Sequence, residues 1–193
     1  MRLIVSFTYF WDIINLYLTD ISLIILKING YLNNIYKLFY NQHMIRHATN
    51  KDYSALKNIR PNLTDETIRE RLEKQAKGEI EYLILDENGQ LVSFILLYWH
   101  GKYTHPKYPD MVDLYTKKSE RGKGYAKQLI AECEKLAKGR GFTKIGMAVN
   151  PDLNSPAHQL YLKLGYKHDG GKKYLDGVYD GVEDWVIDLE KEL

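Results

Sequence analysis

The stretch 119–130, "SERGKGYAKQLI", leaves the chain little freedom. Before it, "MVDLYT" (111–116) is rich in β-formers. After it, Ala126, Leu129, Ile130, Cys133 and Ala137 recur at i, i+3, i+4, i+7 and i+11, which places one apolar stripe on a helix. A strand therefore passes into a helix through Arg121-Gly122-Lys123-Gly124, where several backbone N–H groups can converge on an anion. Gly139 and Gly141 close the helix and "FTKIGMAVN" returns as a strand, so the unit crosses over right-handed. Two familiar phosphate loops do not fit. A Walker A loop needs Ser or Thr after Gly-Lys, where Gly124 stands; a dinucleotide fingerprint needs a third glycine where Lys127 stands.

The rest of the chain from Met44 is equally regular. "MIRHAT" is a short strand, and "NKDYSALKNI" a helix with Tyr53, Leu56 and Ile59 on one face, stopped by Pro61. In "LTDETIRERLEKQAKG", Thr64 caps a second helix, Leu63 and Ile68 have the spacing of a hydrophobic staple, and Gly78 ends it. "EYLILDENGQLVSFILLYWH" holds two β-rich runs joined at Asn88-Gly89, a dipeptide that tolerates the positive φ angles of a tight hairpin. Ser155-Pro156 starts another helix and Gly165 ends it. The tail, "YKHDGGKKYL" and "DWVIDLE", reads as a terminal β-pair. The expected order is β-α-α-β-β-β-α-β-α-β-β, an α/β (α+β) chain with a mixed sheet and helices on both faces.

Composition excludes several functions. With 27 basic and 25 acidic residues the formal charge is +2, too balanced to suggest nucleic acid. The single Cys133 forms no internal disulfide, belongs to the helix's apolar stripe, and suits a reducing, cytoplasmic setting. Histidines 43, 47, 100, 105, 158 and 168 are scattered; His43 and His47 have helical metal-pair spacing but lie in an extended segment, so no metal is expected. Residues 1–43 differ in kind, rich in Ile, Leu, Tyr and Asn, with Arg2, Lys27 and Lys37 against Asp12 and Asp20. Asp12, Asn15 and Asp20 interrupt any spanning segment, and no signal-peptide pattern is present. Three readings stand for this extension: amphipathic helices covering an apolar surface, a membrane-surface anchor, or translated upstream sequence before a start at Met44.

Two blocks carry a resemblance. Arg121, Gly124 and Ala126, where strand meets helix, and then Asn154, Ala157, Leu160, Tyr161, Leu164, Gly165 and Tyr166 in "NPDLNSPAHQLYLKLGYK", resemble the two ordered motifs of the GNAT superfamily of acetyl-CoA-dependent N-acetyltransferases. The likeness covers residues 44–193 and implies a mostly antiparallel sheet. It implies that amides around Gly122, Gly124, Tyr125 and Ala126 hold the pyrophosphate of acetyl-CoA, with charge from Arg121 and Lys123. It also implies that Leu114, Tyr115 and Thr116 pair with the pantetheine arm and that Asn154 lines it. Thr116 and Lys118 depart from the family, which often has an apolar residue and a proline there.

By the same resemblance Tyr161 is the general acid for the departing thiolate, and a backbone N–H of 114–116 faces the thioester oxygen. Asp110 and Asp113 are candidate bases, projecting to opposite faces of a regular strand, and an ordered water could serve instead. The expected acceptor is a primary amine of a small molecule or peptide; the competing reading is a non-catalytic acyl-CoA sensor or scaffold. The acidic residues Asp176, Asp180, Glu183 and Asp184 of the last hairpin can attract a cationic amine or serve as solvated turn residues. The aromatics Tyr98, Trp99, Tyr103 and Tyr108 can wall the acceptor site or simply pack. Either a monomer or a homodimer is compatible with the chain.

Overall fold

The computed structural model describes residues 44–101, 107–179 and 181–193, together with Lys27, Asn29 and Gly30. The chain divides into two compact units, Met1–Gln42 and His43–Leu193. In the first, the three described residues are helical; the rest of the expected extension lies outside the described residues, as do His43, Tyr103, His105, Pro106 and Asp180. Among the described residues no helix is long and apolar enough to cross a membrane.

The second unit carries strands β1 (Met44–His47), β2 (Ile80–Glu87), β3 (Gln90–Tyr98), β4 (Asp110–Thr116), β5 (Lys144–Val149), β6 (Lys167–His168), β7 (Tyr174–Tyr179) and β8 (Val182–Glu192). Its helices are α1 (Tyr53–Ile59), α2 (Asp65–Ala76), α3 (Tyr125–Gly139) and α4 (Pro156–Lys163). The sheet order is β1-β2-β3-β4-β5-β8-β6, with β7 also paired to β8. All pairings are antiparallel except β4 with β5. That one parallel pair is joined by the α3 crossover, the mixed and mostly antiparallel sheet expected.

Strands β2 and β3 are apolar on both faces because both faces are covered. Leu83, Leu85, Ile95 and Leu97 join Met111, Ile145, Met147 and Leu189 in a cluster with the α3 stripe and with Tyr161 and Tyr166. On the other face Tyr82, Ile84, Phe94 and Leu96 pack with Leu56, Ile59 and Ile68 of α1 and α2. Leu129, Ile130 and Cys133 of α3 are at most 1% exposed. Burial of side chains such as Leu129 and Ile130 contributes about 1.5–3 kcal/mol each. The same burial pushes the Cys133 thiol well above its ordinary value, so it behaves as core and not as a nucleophile.

Local signals act where they were expected. The Thr64 hydroxyl accepts from the Thr67 N–H at 3.1 Å to cap α2. Asn88 (φ 53°) and Gly89 (φ 77°) make the β2–β3 turn. Two details differ. A 3₁₀ turn, Asn50–Asp52, precedes α1, closed by a reciprocal cap between Thr49 and Asp52. The tail is three strands: β6 pairs for only two residues before a turn in which the Gly171 N–H donates to Asp169 Oδ1 at 2.7 Å. That turn divides the first arm of the expected terminal β-pair into β6 and β7.

Candidate active site

Between β4 and β5 the sheet opens. The two strands pair only at Asp110 with Gly146 and Met111 with Met147. Beyond Met111 no described strand pairs with β4 on that side. On the other side, Leu96 opposes Val112 while Phe94 opposes Tyr115, so β4 carries one residue more than β3. This is a β-bulge, and Asp113 within it has φ 56°. Past the bulge the strand is held again by Ser93, whose buried hydroxyl donates to the Tyr115 carbonyl at 2.7 Å and pairs with the Thr116 hydroxyl at 2.8 Å. Thr116, a departure from the family's apolar preference, is thereby satisfied. Leu114, Tyr115 and Thr116 present a backbone edge of the kind an extended ligand arm can join as an added strand.

The glycine loop faces the same end of β4. Arg121 Nε donates to the Thr116 carbonyl at 3.2 Å, tying the loop to the strand end. Lys123 is exposed and ion-pairs with Glu120 at 2.6 Å. Gly122 and Gly124 have φ 83° and 86°, and no heavy atom lies within 4 Å of where a Cβ would stand at either. Only glycine adopts these angles without strain. Gly124 caps α3 without any side-chain hydrogen bond, and the first N–H groups of a helix have no intrahelical acceptor. The N–H groups of Tyr125 and Ala126 thus stand at the positive end of a 15-residue helix. An anionic pyrophosphate fits this combination of open backbone and uncapped helix end. The Tyr125 ring is committed to the fold: it is 2% exposed, and its hydroxyl donates to Glu87 at the end of β2.

The second block lies on α4 and the loop before it. Tyr161 is 8% exposed, packed edge-on against Tyr166 at 6.3 Å between ring centres. Burial pushes its phenol up to about 12. Tyr166 in turn donates to Glu134 at 2.8 Å, and Lys191 grips the same carboxylate at 2.9 Å. Asn154 is exposed in the loop leading to α4, its N–H donating to Asp152 Oδ1 at 2.9 Å.

Asp110 and Asp113, paired as alternatives in the sequence, have different surroundings. Asp110 is 1% exposed at the foot of the opening, opposite Tyr98 on β3 and Gly146 on β5. Asp113 forms ion pairs with Arg60 and, at 2.7 Å, with Arg71. The Asp113 carboxylate is committed to those arginines, whereas Asp110 lies at the foot of the opening.

Sequence reasoning missed the neighbours of Asp110. Gly146 and Ala148 on β5 oppose Glu190 and Asp188 on β8, which puts these residues on one face with Asp110. Tyr174 donates to Asp188 at 2.7 Å and Tyr108 to Glu190 at 3.1 Å. Both phenols are pushed up, by burial first and then by those carboxylates. Alternating small residues in "IGMAV" beside acidic residues in "IDLE" were the available signal, but it depends on a register that the sequence does not display.

Comparison with known proteins accords with this geometry. Residues 42–166, spanning both motif blocks, match the Acetyltransferase (GNAT) family. No curated protein matches the chain in sequence. In fold it is similar to an N-acetyltransferase from Staphylococcus aureus, with a TM-score of 0.64, 23% identity, and coverage of 78% of this chain and 98% of that one. It is similar also to the ribosomal-protein-alanine N-acetyltransferase of Brucella melitensis (TM-score 0.65, 22% identity, 78% and 99% covered). A third likeness is to the PaiA N-acetyltransferase of Thermoplasma acidophilum in complex with coenzyme A (TM-score 0.60, 19% identity, 79% and 99% covered). The chain belongs to the GNAT acetyltransferase family.

Proposed function

We propose that this acetyltransferase moves an acetyl group from acetyl-CoA to a primary amine of a small molecule or peptide, with both substrates bound together. The observation that carries the reading is the opening of β4 from β5 beyond Met111, in line with the uncapped N-terminus of α3. The bound coenzyme A of the similar Thermoplasma protein supports it, and a peptidic acceptor is supported by the likeness to a ribosomal-protein-alanine N-acetyltransferase.

When bound, acetyl-CoA supplies an activated acyl group that a neutral amine attacks directly, so no protein nucleophile is needed. The amides of Gly122, Gly124, Tyr125 and Ala126, with Arg121 and Lys123 beside them, hold the pyrophosphate. The backbone of Leu114 to Thr116 binds the pantetheine arm, Asn154 lines it, and one N–H of that stretch donates to the thioester oxygen as charge develops there. Asp110, at the foot of the opening, accepts the proton of the attacking amine. Tyr161 stays protonated across the physiological range, as a donor must. A phenol at about 12 is a weaker acid than an ordinary thiol near 8.5 by roughly three thousandfold. Tyr161 therefore acts first as a hydrogen-bond donor to the departing sulfur. As the C–S bond breaks, the phenol proton moves onto the departing sulfur, and water re-entering the site restores the phenol.

The test is thermal unfolding with acetyl-CoA, NAD and ATP in parallel. A ligand at 100 times its Kd adds about 2.7 kcal/mol, which at roughly 2–4 °C per kcal/mol is a shift of about 5–10 °C. Stabilisation by NAD or ATP and not by acetyl-CoA would refute the reading.

A further inference from the structure

We infer that Asp113 is a positioning residue: it pins the β4 bulge to the helical pair α1–α2 and so sets the direction of the backbone N–H groups that follow it. The inference rests on the reading above, in which Leu114 to Thr116 meet the thioester end of acetyl-CoA. Asp113 is one of two described non-glycine residues with positive φ; the other, Asn88, sits in an ordinary hairpin turn. A left-handed angle at a strand interior is held only if the surroundings over-determine it.

The surroundings do so from two elements at once. Arg60, the residue that ends α1, pairs with one carboxylate oxygen of Asp113, and Arg71, in the middle of α2, pairs with the other at 2.7 Å. These side chains are 12% (Asp113), 16% (Arg71) and 27% (Arg60) exposed, so solvent screens the pairs far less than a surface bridge. Each guanidinium also lies against a ring of the sheet: Arg60 is 5.5 Å from the centre of Tyr115 and Arg71 is 5.8 Å from that of Tyr82. Phe94 sits between the two rings, stacked on Tyr115 at 5.9 Å and edge-on to Tyr82 at 5.8 Å. Tyr115 belongs to the stretch that the clamp is to orient, and Arg121 of the glycine loop lies 5.8 Å from the same ring. The clamp thus reaches the strand edge and the pyrophosphate loop through one aromatic residue.

Ion pairs this poorly hydrated give little net stability, because desolvation offsets attraction. What the arrangement supplies is one conformation of a bulge that could bend in several ways. Loosening the clamp should therefore leave the pyrophosphate site intact and misdirect the N–H groups beyond Asp113.

The experiment uses the full chain and isotope-edited infrared spectroscopy of bound acetyl-CoA carrying ¹³C at the thioester carbonyl. An N–H donor on that oxygen lowers the carbonyl stretch, a signature that global stability does not move. Asp113→Asn keeps the shape and the tolerance for positive φ but removes the charge. Asp113→Gly removes the clamp and the strain together, and Arg71→Met removes one pair while keeping contact with the Tyr82 ring. All three should bind acetyl-CoA within about threefold of wild type while the carbonyl band returns toward its free position. Combining Arg71→Met with Asp113→Asn should displace the band no further than Asp113→Asn alone, as expected of residues acting as one unit. An unmoved band in the Asn and Gly variants overturns the inference, as does an additive effect of the pair. Should Asp113→Asn fail to fold, the Gly and Arg71→Met variants decide by the same criterion. Wild-type protein that binds no acetyl-CoA would remove the underlying reading and the clamp with it, an outcome distinct from normal binding with an unmoved band.

Discussion

Tyr161 shows how much one side chain can carry and how little its position in a helix reveals. At helical spacing from Ala157 and Leu164 it reads equally well as a core tyrosine, and at 8% exposed against Tyr166 it does pack as one. Only the company of Asn154, Leu160 and Gly165 distinguishes it. Replacing Tyr161 by Phe keeps the ring contact and removes the hydroxyl, so acetyl-CoA affinity should hold. General acid catalysis typically contributes 10²–10⁴-fold, so kcat with an accepted amine should fall by at least about 10²-fold, roughly 2.7 kcal/mol of barrier. A rate within about threefold of wild type, measured where chemistry limits turnover, would take the phenol out of the mechanism. The two aspartates teach the opposite lesson. In the sequence Asp110 and Asp113 are two candidate carboxylates three positions apart; the bulge and two arginines from elsewhere give them different surroundings.

At the scale of elements, the glycine loop and α3 act as one device. The left-handed angles of Gly122 and Gly124 turn the chain so that the helix N-terminus meets the end of β4. A β-branched residue at Gly124 is strained by about 1–2 kcal/mol and projects into the open face of the loop. Gly124→Val should therefore lower the unfolding midpoint by roughly 2–8 °C and abolish stabilisation by acetyl-CoA. Gly170→Val is the control, because Gly170 has a similar φ of 89° but lies in the turn after β6. It should lose comparable stability and keep the ligand shift. If both variants respond normally to acetyl-CoA, the pyrophosphate binds elsewhere. The elements with strong local signals, the Asn88-Gly89 hairpin and the α3 stripe, are present as expected. The division of the tail into β6 and β7 was not foreseen; β6 has only two residues and exists because the edge of β8 is available to it.

For the whole molecule, we propose that residues 44–193 are the folding and catalytic unit, since the compact unit His43–Leu193 holds all the described strands together with α1 to α4. A protein beginning at Met44 should unfold within about 4 °C of the full chain, equivalent to roughly 1 kcal/mol, and bind acetyl-CoA with the same affinity. Aggregation of that protein while the full chain stays in solution would assign residues 1–43 a part in covering the core. Local chemistry along the chain sets the identity and order of the main elements, the cap at Thr64, the tight turn at Asn88-Gly89 and the glycine loop before α3. Each of these is set by residues within a turn or two of one another, where periodicity, capping and φ preference act. Where β4 and β5 separate, which strand carries the bulge, and which side chains meet there depend on long-range packing. Arg60 and Arg71 reach Asp113 from about 40 to 50 residues away in the chain, and Tyr174 and Asp188 meet the face of Asp110 through strand register. Register and ion pairing of this kind follow from the simultaneous packing of helices on both faces of one sheet, a non-local balance that no short window of sequence contains.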